Sequence, residues 1–428
     1  MWRTWPRRIA IVLCTIIAIV AISTAPPPGD QVVNTDLVKL LRMPAKQAAA
    51  YVKLHPQLYM DLENADPEAT AKWWTSQTPK YQKKAIADWP SYIGNLEGIA
   101  YSTRDVANRL YLKTAYAKAK KAVAQHPGSP QAATTLQSLK AIKGALKGSR
   151  LSPRRYLVEL TEDPNPLAAV AIGNPDTAKQ VTFDVPGMGT YTTDMQLWTR
   201  SAVNVYEAQG QVGAPAARSV IAWIGYVTPP PGIDAALGEY AARGAVKLAV
   251  ALAGLVAARN DDVSDLVLNI VAHSYGTTTA ADALAELDGG VYAFVMLGSA
   301  GIEPWIPNAK ALKTEYVYAG EAASDTEARL GQSTRIDPRA PSFGAIILPV
   351  DGGGSTGLLP VTGHAPVLHS PWNDNPMSSA WKSITNRAAF ERQFAAHFKT
   401  YGYLDAGTQS LVNTAIATTP EAKQKFVR

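Results

Sequence analysis

From about residue 155 onward, short apolar segments alternate with longer stretches of helical periodicity. Ala168–Ile172, Val181–Val185, Val220–Tyr226, Leu266–Ala272, Ala293–Leu297, Tyr316–Tyr318 and Ala345–Val350 read as strands, with Ala235–Ala258 and Thr278–Leu287 as helices between them. Near-continuous apolar strands separated by helices predict an α/β fold, built on a mostly parallel sheet covered on both faces. In such a sheet ligands collect at the carboxyl ends of the strands, so chemistry is expected in the turns that follow them. Upstream, from about 35 to 148, Ala, Lys, Leu and Gln dominate and long β-branched runs are missing. Val106, Leu110, Ala117 and Ala124 recur at helical spacing before a turn at Pro127–Pro130, and Leu139, Ile142 and Leu146 form a second stripe ending near Gly148. Several amphipathic helices are expected there, with these stripes as apolar faces.

The chain begins differently again. Arg3, Arg7 and Arg8 precede the uncharged run Ile9–Ile22, followed by Ser23, Thr24, Ala25 and three prolines. This is the pattern of a secretory signal, and its length touches the lower limit for an uncleaved membrane anchor. Cys14 follows Leu13, where a lipoprotein site would need a small residue. The expected organisation is a signal or anchor over 1–25, a linker over 26–34, a helical region over 35–150 that could cap a site, and an α/β domain over 151–428. The protein is expected to be exported, either extracellular or membrane-anchored. Cys14 is the single cysteine of the chain, so removal of the signal leaves no disulfide, thiol nucleophile or thiolate metal site.

Composition narrows the class. With 428 residues, 47% apolar and 18% charged, the chain is globular, which excludes collagen, wholesale disorder, a coiled-coil rod and a polytopic membrane protein. The net charge of +6 hides an asymmetry: residues 1–150 hold 21 Lys/Arg against 9 Asp/Glu, and the remainder 20 against 26. Residues 104–150 carry ten Lys/Arg and one acid, Asp105. Solvated lysines on amphipathic helices explain such a run; an anionic membrane or acidic cell-wall surface is the candidate partner. Nucleic acid is not expected, because export opposes it and no aromatic-interleaved binding motif is present.

The segment Leu266–Leu284 runs from a strand through Ala272-His273-Ser274-Tyr275-Gly276 into a helix. A serine on such a turn has its Oγ raised above the sheet, and its neighbours two before and two after must be small. Ala272 and Gly276 meet that need. A literal G-x-S-x-G occurs instead at Gly353–Gly357, around Ser355, but in a glycine-rich loop with no helix behind it. Ser274 is therefore the candidate nucleophile. The side chain of His273 should point to the opposite face, as a packing histidine beneath the turn.

A serine needs a base, and the base needs a carboxylate to hold its tautomer. In strand–turn–helix serine sites the acid follows the serine and the base follows the acid. Asp325, beyond the Tyr316–Tyr318 strand, stands ahead of Glu321. His364 comes soonest after the last strand; His369 and His397 remain as alternatives, with His397 the stronger. His364 and His369 do not match the spacing of a zinc site, so no metal is expected, nor any cofactor. Backbone N–H groups of Tyr275 and Met188, the latter in the glycine-flanked turn after Val181–Val185, are the candidate oxyanion donors. A simple tight turn is the rival reading of Met188.

These residues resemble an α/β-hydrolase family of actinobacterial exported and cell-envelope proteins, long described only as of unknown function. The resemblance rests on Val185–Thr190 (VPGMGT), Ala222–Tyr226 (AWIGY) with prolines at 229–231, and Val271–Gly276 (VAHSYG). It continues through Leu297–Gly301 (LGSAG), Gly320–Asp325 (GEAASD), Thr362–His364 (TGH), and Tyr403–Thr408 (YLDAGT) with Ser410, Leu411 and Asn413. Ile93–Gly98, Arg104-Asp105 and Asn108-Arg109 resemble the family's helical N-terminal part. The resemblance spans about 73–415 and implies an α/β-hydrolase fold with Ser274, Asp325 and His364 as the triad. One departure is that roughly forty residues separate His364 from Tyr403, where family members often place the pair together. An insertion explains it; movement of the segment as a unit would make His397 the base. The expected activity is hydrolysis of a small-molecule or lipid ester through an acyl-enzyme. A non-catalytic envelope-binding module on the same fold is the alternative.

Overall fold

The computed structural model describes residues 35–425 apart from 44, 56, 149–151, 260–262, 264, 354–356 and 369–399. The expected signal or anchor, the linker, Ser355, His369 and His397 lie outside the described residues. The helical region holds α1 (Thr35–Arg42), α2 (Ala45–Leu54), α3 (Leu58–Glu63), α4 (Pro67–Thr75), α5 (Pro79–Asp88), α6 (Pro90–Ile93), α7 (Tyr101–Gln125) and α8 (Pro130–Ala145). Proline at the first helical position starts α4, α5, α6 and α8, and Asp66, Thr78 and Ser129 cap three of these. Trp73, Trp74 and Trp89 pack in this region's own core with Leu62 and Ile93.

The strands β1 (Arg155–Leu160), β2 (Ala168–Ile172), β3 (Gln180–Val185), β4 (Arg218–Ile224), β5 (Val267–His273), β6 (Ala293–Leu297), β7 (Tyr316–Gly320) and β8 (Ile346–Ile347) form one sheet in the order β1-β2-β4-β3-β5-β6-β7-β8. β2 runs antiparallel to both neighbours and all other pairs are parallel. The helices α9 (Met195–Val212), α10 (Glu239–Ala258), α11 (Tyr275–Glu286), α12 (Thr326–Gly331) and α13 (Gln409–Ala417) are threaded between and after the later strands. Strand alternation divides the core: Val271 and Val295 join Trp198 of α9 and Leu411 of α13, whereas Ile270 and Phe294 join Leu252 of α10 and Leu284 of α11. Burying each such large apolar side chain contributes about 1.5–3 kcal/mol. α10 is long and apolar enough to cross a membrane, yet Leu248, Leu252 and Leu255 pack on the sheet as a core helix does.

Two expectations are corrected. The stripe Val106, Leu110, Ala117 and Ala124 is the exposed side of α7, while Arg104, Asp105 and Asn108 are buried. The reason is β1, a strand the apolar pattern did not predict because Arg155 and Glu159 interrupt it. β1 is a sheet edge with unpaired backbone groups. Asp105 Oδ1 accepts from Leu157 N–H at 2.7 Å, Asn108 Nδ2 donates to Leu157 O at 3.1 Å, and Asn95 bonds both N–H and C=O of Leu160 at 2.8 Å. Polar side chains of α7 therefore face inward to complete the sheet. Arg104 leaves the basic surface as well, donating to Glu97 at 2.7 Å in the interior.

Candidate active site

The turn between β5 and α11 is strained in a specific way. Ser274 has φ 54° and ψ −127°, a left-handed conformation rarely adopted by a residue with a side chain. Such strain persists only where the surroundings over-determine it. Ser274 N–H donates to Leu297 O at 3.0 Å, and Ser274 O accepts from Thr277 and Ala300 N–H groups. A Cβ at Gly276 would lie 2.4 Å from Pro186 O, and one at Gly187 would lie 2.6 Å from Ser274 Cβ. Glycine at both places lets the β3 loop close against the turn.

Ser274, Asp325 and His364 come together across three loops. Ser274 Oγ lies 2.7 Å from His364 Nε2, and His364 Nδ1 lies 2.8 and 2.9 Å from the two Asp325 oxygens. A carboxylate only accepts, so the His364 proton belongs on Nδ1, leaving Nε2 to accept from the serine hydroxyl. Asp325 is fully buried as the N-cap of α12, accepting from Ala328 N–H at 2.9 Å and from Tyr403 O–H at 2.7 Å. Burial alone would raise its pKa; the hydrogen bond and charge of His364, with the Ala328 and Tyr403 donors, outweigh it and hold the carboxyl down at about 2. Glu321 takes a different role, accepting from Gln332 at 2.7 Å and pairing with Arg339 at 2.9 Å.

The loop bearing His364 is stitched to the segment that follows Thr400. Thr362 N–H donates to Tyr401 O, Tyr403 N–H to Ala365 O and Leu404 N–H to Pro366 O. The Gly-His pair and the Tyr–Asp–Gly–Thr segment are thus neighbours in space despite their separation along the chain. Sequence reasoning assigned no role to Tyr403, whose hydroxyl also accepts from Ala322 N–H at 2.9 Å. His273, expected to point away from Ser274 Oγ and pack beneath the turn, is buried beside the His364 ring and bonds His364 O.

Ser274 opens into a cleft of about 380 Å³ whose lining includes Met188, Tyr275, Ala300, Leu330, Arg335 and His364. As the first residue of α11, Tyr275 has an N–H that the helix cannot satisfy. The Met188 N–H makes no hydrogen bond among the described residues. Arg335 lies 5.3 Å from the Tyr275 ring centre and is neutralised by Glu303, 2.7 Å from its Nε. The described lining draws on residues 188–364, and none comes from the helical region. No group of three or more His, Cys, Asp or Glu able to hold a metal occurs among the described residues.

Residues 163–332 match a family model described as alpha/beta hydrolase, a span that contains Ser274 and Asp325 and ends before His364. The fold is an α/β-hydrolase fold with a helical region preceding a largely parallel sheet. An uncharacterized protein of Mycobacterium tuberculosis is 31% identical over 301 residues, covering 61% of this chain and 44% of that protein. The chain therefore spans less than half the length of that relative. An uncharacterized protein of Mycobacterium bovis is 29% identical over 242 residues, 54% of this chain and 84% of its own. Among solved structures, a dienelactone hydrolase from Anabaena variabilis aligns at 16% identity, covering 58% of this chain and 99% of its own, with a TM-score of 0.30. An esterase from Pyrobaculum calidifontis aligns at 12% identity, covering 67% and 93%, with a TM-score of 0.31. Scores this low add nothing to the sheet topology.

Proposed function

We propose that this protein is an exported or membrane-anchored serine hydrolase acting on carboxylic esters. The observation that carries the reading is the unbroken hydrogen-bonded chain from Ser274 through His364 to Asp325, with Ser274 and His364 lining a cleft. Ser274 Oγ attacks the ester carbonyl carbon while His364 Nε2 takes its proton. Asp325 holds the ring and stabilises the imidazolium. The negative carbonyl oxygen is met by the N–H groups of Tyr275 and Met188, and removal of one such donor typically costs about 2.7–4 kcal/mol of barrier. Collapse breaks the C–O bond; the alcohol leaves with the proton from His364, and Ser274 keeps the acyl group. Water then attacks that acyl carbon, giving its proton to His364, and the acid departs as Ser274 regains its hydrogen.

The walls favour an ester over a charged substrate. Met188, Ala300 and Leu330 are apolar, and among the described lining residues Arg335 already has its counter-ion in Glu303, while Glu327 adds a negative charge that disfavours an anionic substrate. Steady-state hydrolysis of p-nitrophenyl esters of increasing chain length tests the reading. Turnover that falls at least about 10⁴-fold in Ser274→Ala and in His364→Ala is expected. Unchanged turnover in Ser274→Ala would remove the serine mechanism. Export is supported by the arginine-led apolar run at the start of the chain, and cell fractionation tests it: a cytosolic pool alone would contradict it.

A further inference from the structure

The chain contains no Asp or Glu between Asp105 and Glu159, and α7 and α8 fill most of that stretch. Six lysines, at 113, 118, 120, 121, 140 and 143, are exposed on these two helices, and Lys147 is exposed just beyond α8. None makes an ion pair among the described residues, whereas Lys72, Lys84, Lys247 and Lys313 elsewhere each have a carboxylate partner. Asp105, the single acid of α7, is fully buried and spent on β1 and two arginines. At the flank of α7, burial and then the charges of the exposed Glu162 and Asp163 raise the pKa of Tyr111.

Three of the lysines of α7 flank the exposed apolar stripe. At about 100° per residue, Val106, Leu110, Ala117 and Ala124 fall within a narrow arc, with Lys113 and Lys120 on one side and Lys121 on the other. Over about 1.5 Å per residue this strip extends roughly 27 Å along α7. We propose that the α7–α8 hairpin is a docking surface for an anionic lipid bilayer, lying flat with its lysines at the headgroups and the stripe at the acyl boundary. Charge complementarity selects an anionic partner, since the rest of the chain is net acidic. The stripe selects a bilayer over a dissolved polyanion, because only the bilayer buries it. Nucleic acid would need exposed rings for stacking, but Tyr116 lies beneath Lys143, 3.9 Å from its Nζ. This surface is independent of the catalytic reading.

The test uses the full chain with Cys14→Ser and Ala117→Cys, carrying an environment-sensitive fluorophore at 117. A second chain carries the probe in Asp288→Cys instead, a position exposed beside β6. The site-specific probe keeps hairpin contact separate from any insertion of the N-terminal segment. Phosphatidylglycerol vesicles should blue-shift the probe at 117 and leave the probe at 288 unmoved; phosphatidylcholine vesicles should shift neither. Half a molar salt should abolish the shift, and Lys113→Glu/Lys120→Glu/Lys121→Glu should weaken it about 100-fold in lipid concentration, with an unchanged melting curve. No shift on phosphatidylglycerol, an equal shift at 117 and 288, an equal shift on phosphatidylcholine, or a shift that survives the triple reversal would overturn the proposal. So would a shift given by a duplex oligonucleotide and by neither vesicle.

Discussion

The His273 ring reaches the backbone of His364: its Nε2 lies 2.6 Å from the His364 carbonyl oxygen, and the two ring centres are 4.8 Å apart. A carbonyl only accepts, so His273 carries its proton on Nε2 and donates. The residue beside Ser274 thereby ties the turn to the loop bearing His364. Burial, then repulsion from His364, lowers its pKa to about 3, so the tie stays neutral through the physiological range.

His273→Phe should therefore lower kcat by about 10- to 100-fold, because it keeps the ring volume and releases the His364 loop. KM should change little, since His273 does not line the cleft. Steady-state kinetics on a soluble ester checks this, and a change confined to KM would count against it.

Acid stability should report the same residue. With an ordinary histidine pKa near 6.5 in the unfolded chain and about 3 in the fold, the unfolded state binds more protons between these limits. The contribution of His273 is complete above about pH 6.5 and declines as the pH falls towards 3, by up to about 1.4 kcal/mol per pH unit. Urea unfolding at pH 7 and pH 4.5 should show wild type losing more stability on acidification than His273→Phe. Equal losses would remove the histidine from the account.

Tyr403→Phe removes the hydroxyl that donates to Asp325 and accepts from Ala322 N–H. It should lower kcat about 10-fold, as the carboxylate loses one of the groups orienting it. The unpaired N–H should cost about 1–3 kcal/mol of stability. Kinetics and urea melts on the one variant check both effects; loss of stability with full kcat would leave Tyr403 a purely packing residue.

Asp184, on the same face of β3 as Thr182, is fully buried, and burial raises its pKa to about 8 against the pull of the Ser201 hydroxyl. Here the sign is opposite to that of His273: the folded state holds the proton, so stability falls as pH rises from the ordinary carboxylate range to about 8. Asp184→Asn should raise the melting temperature, and by more at pH 8 than at pH 5. Scanning calorimetry at the two values checks it, and a larger gain at pH 5 would contradict it.

β2 and β6 have the bounds their apolar runs predict, because Ala168–Ile172 and Ala293–Leu297 are buried along their whole length. The expected helix over Ala235–Ala258 is divided, since Gly238, at φ 72°, separates a 3-10 turn from α10. β1 and the inward face of α7 were hidden for one shared reason: a sheet edge completed by Asp105 and Asn108 leaves no apolar periodicity to read. At the site, Ala272 and Gly276 single out Ser274 locally, whereas the contacts of Tyr403 with Asp325 and of His273 with His364 join positions 78 and 91 residues apart. No spacing rule reaches across such distances.

The most direct measurement is peptide mapping of the adduct formed with a fluorophosphonate probe, in wild type and in Ser274→Ala, His364→Ala and Asp325→Asn. An activated serine predicts one labelled peptide, carrying Ser274, with labelling abolished in Ser274→Ala and slowed at least about 10³-fold in the other two. Labelling of Ser274 at an undiminished rate in His364→Ala would contradict the account, because the hydrogen-bonded chain would then be idle.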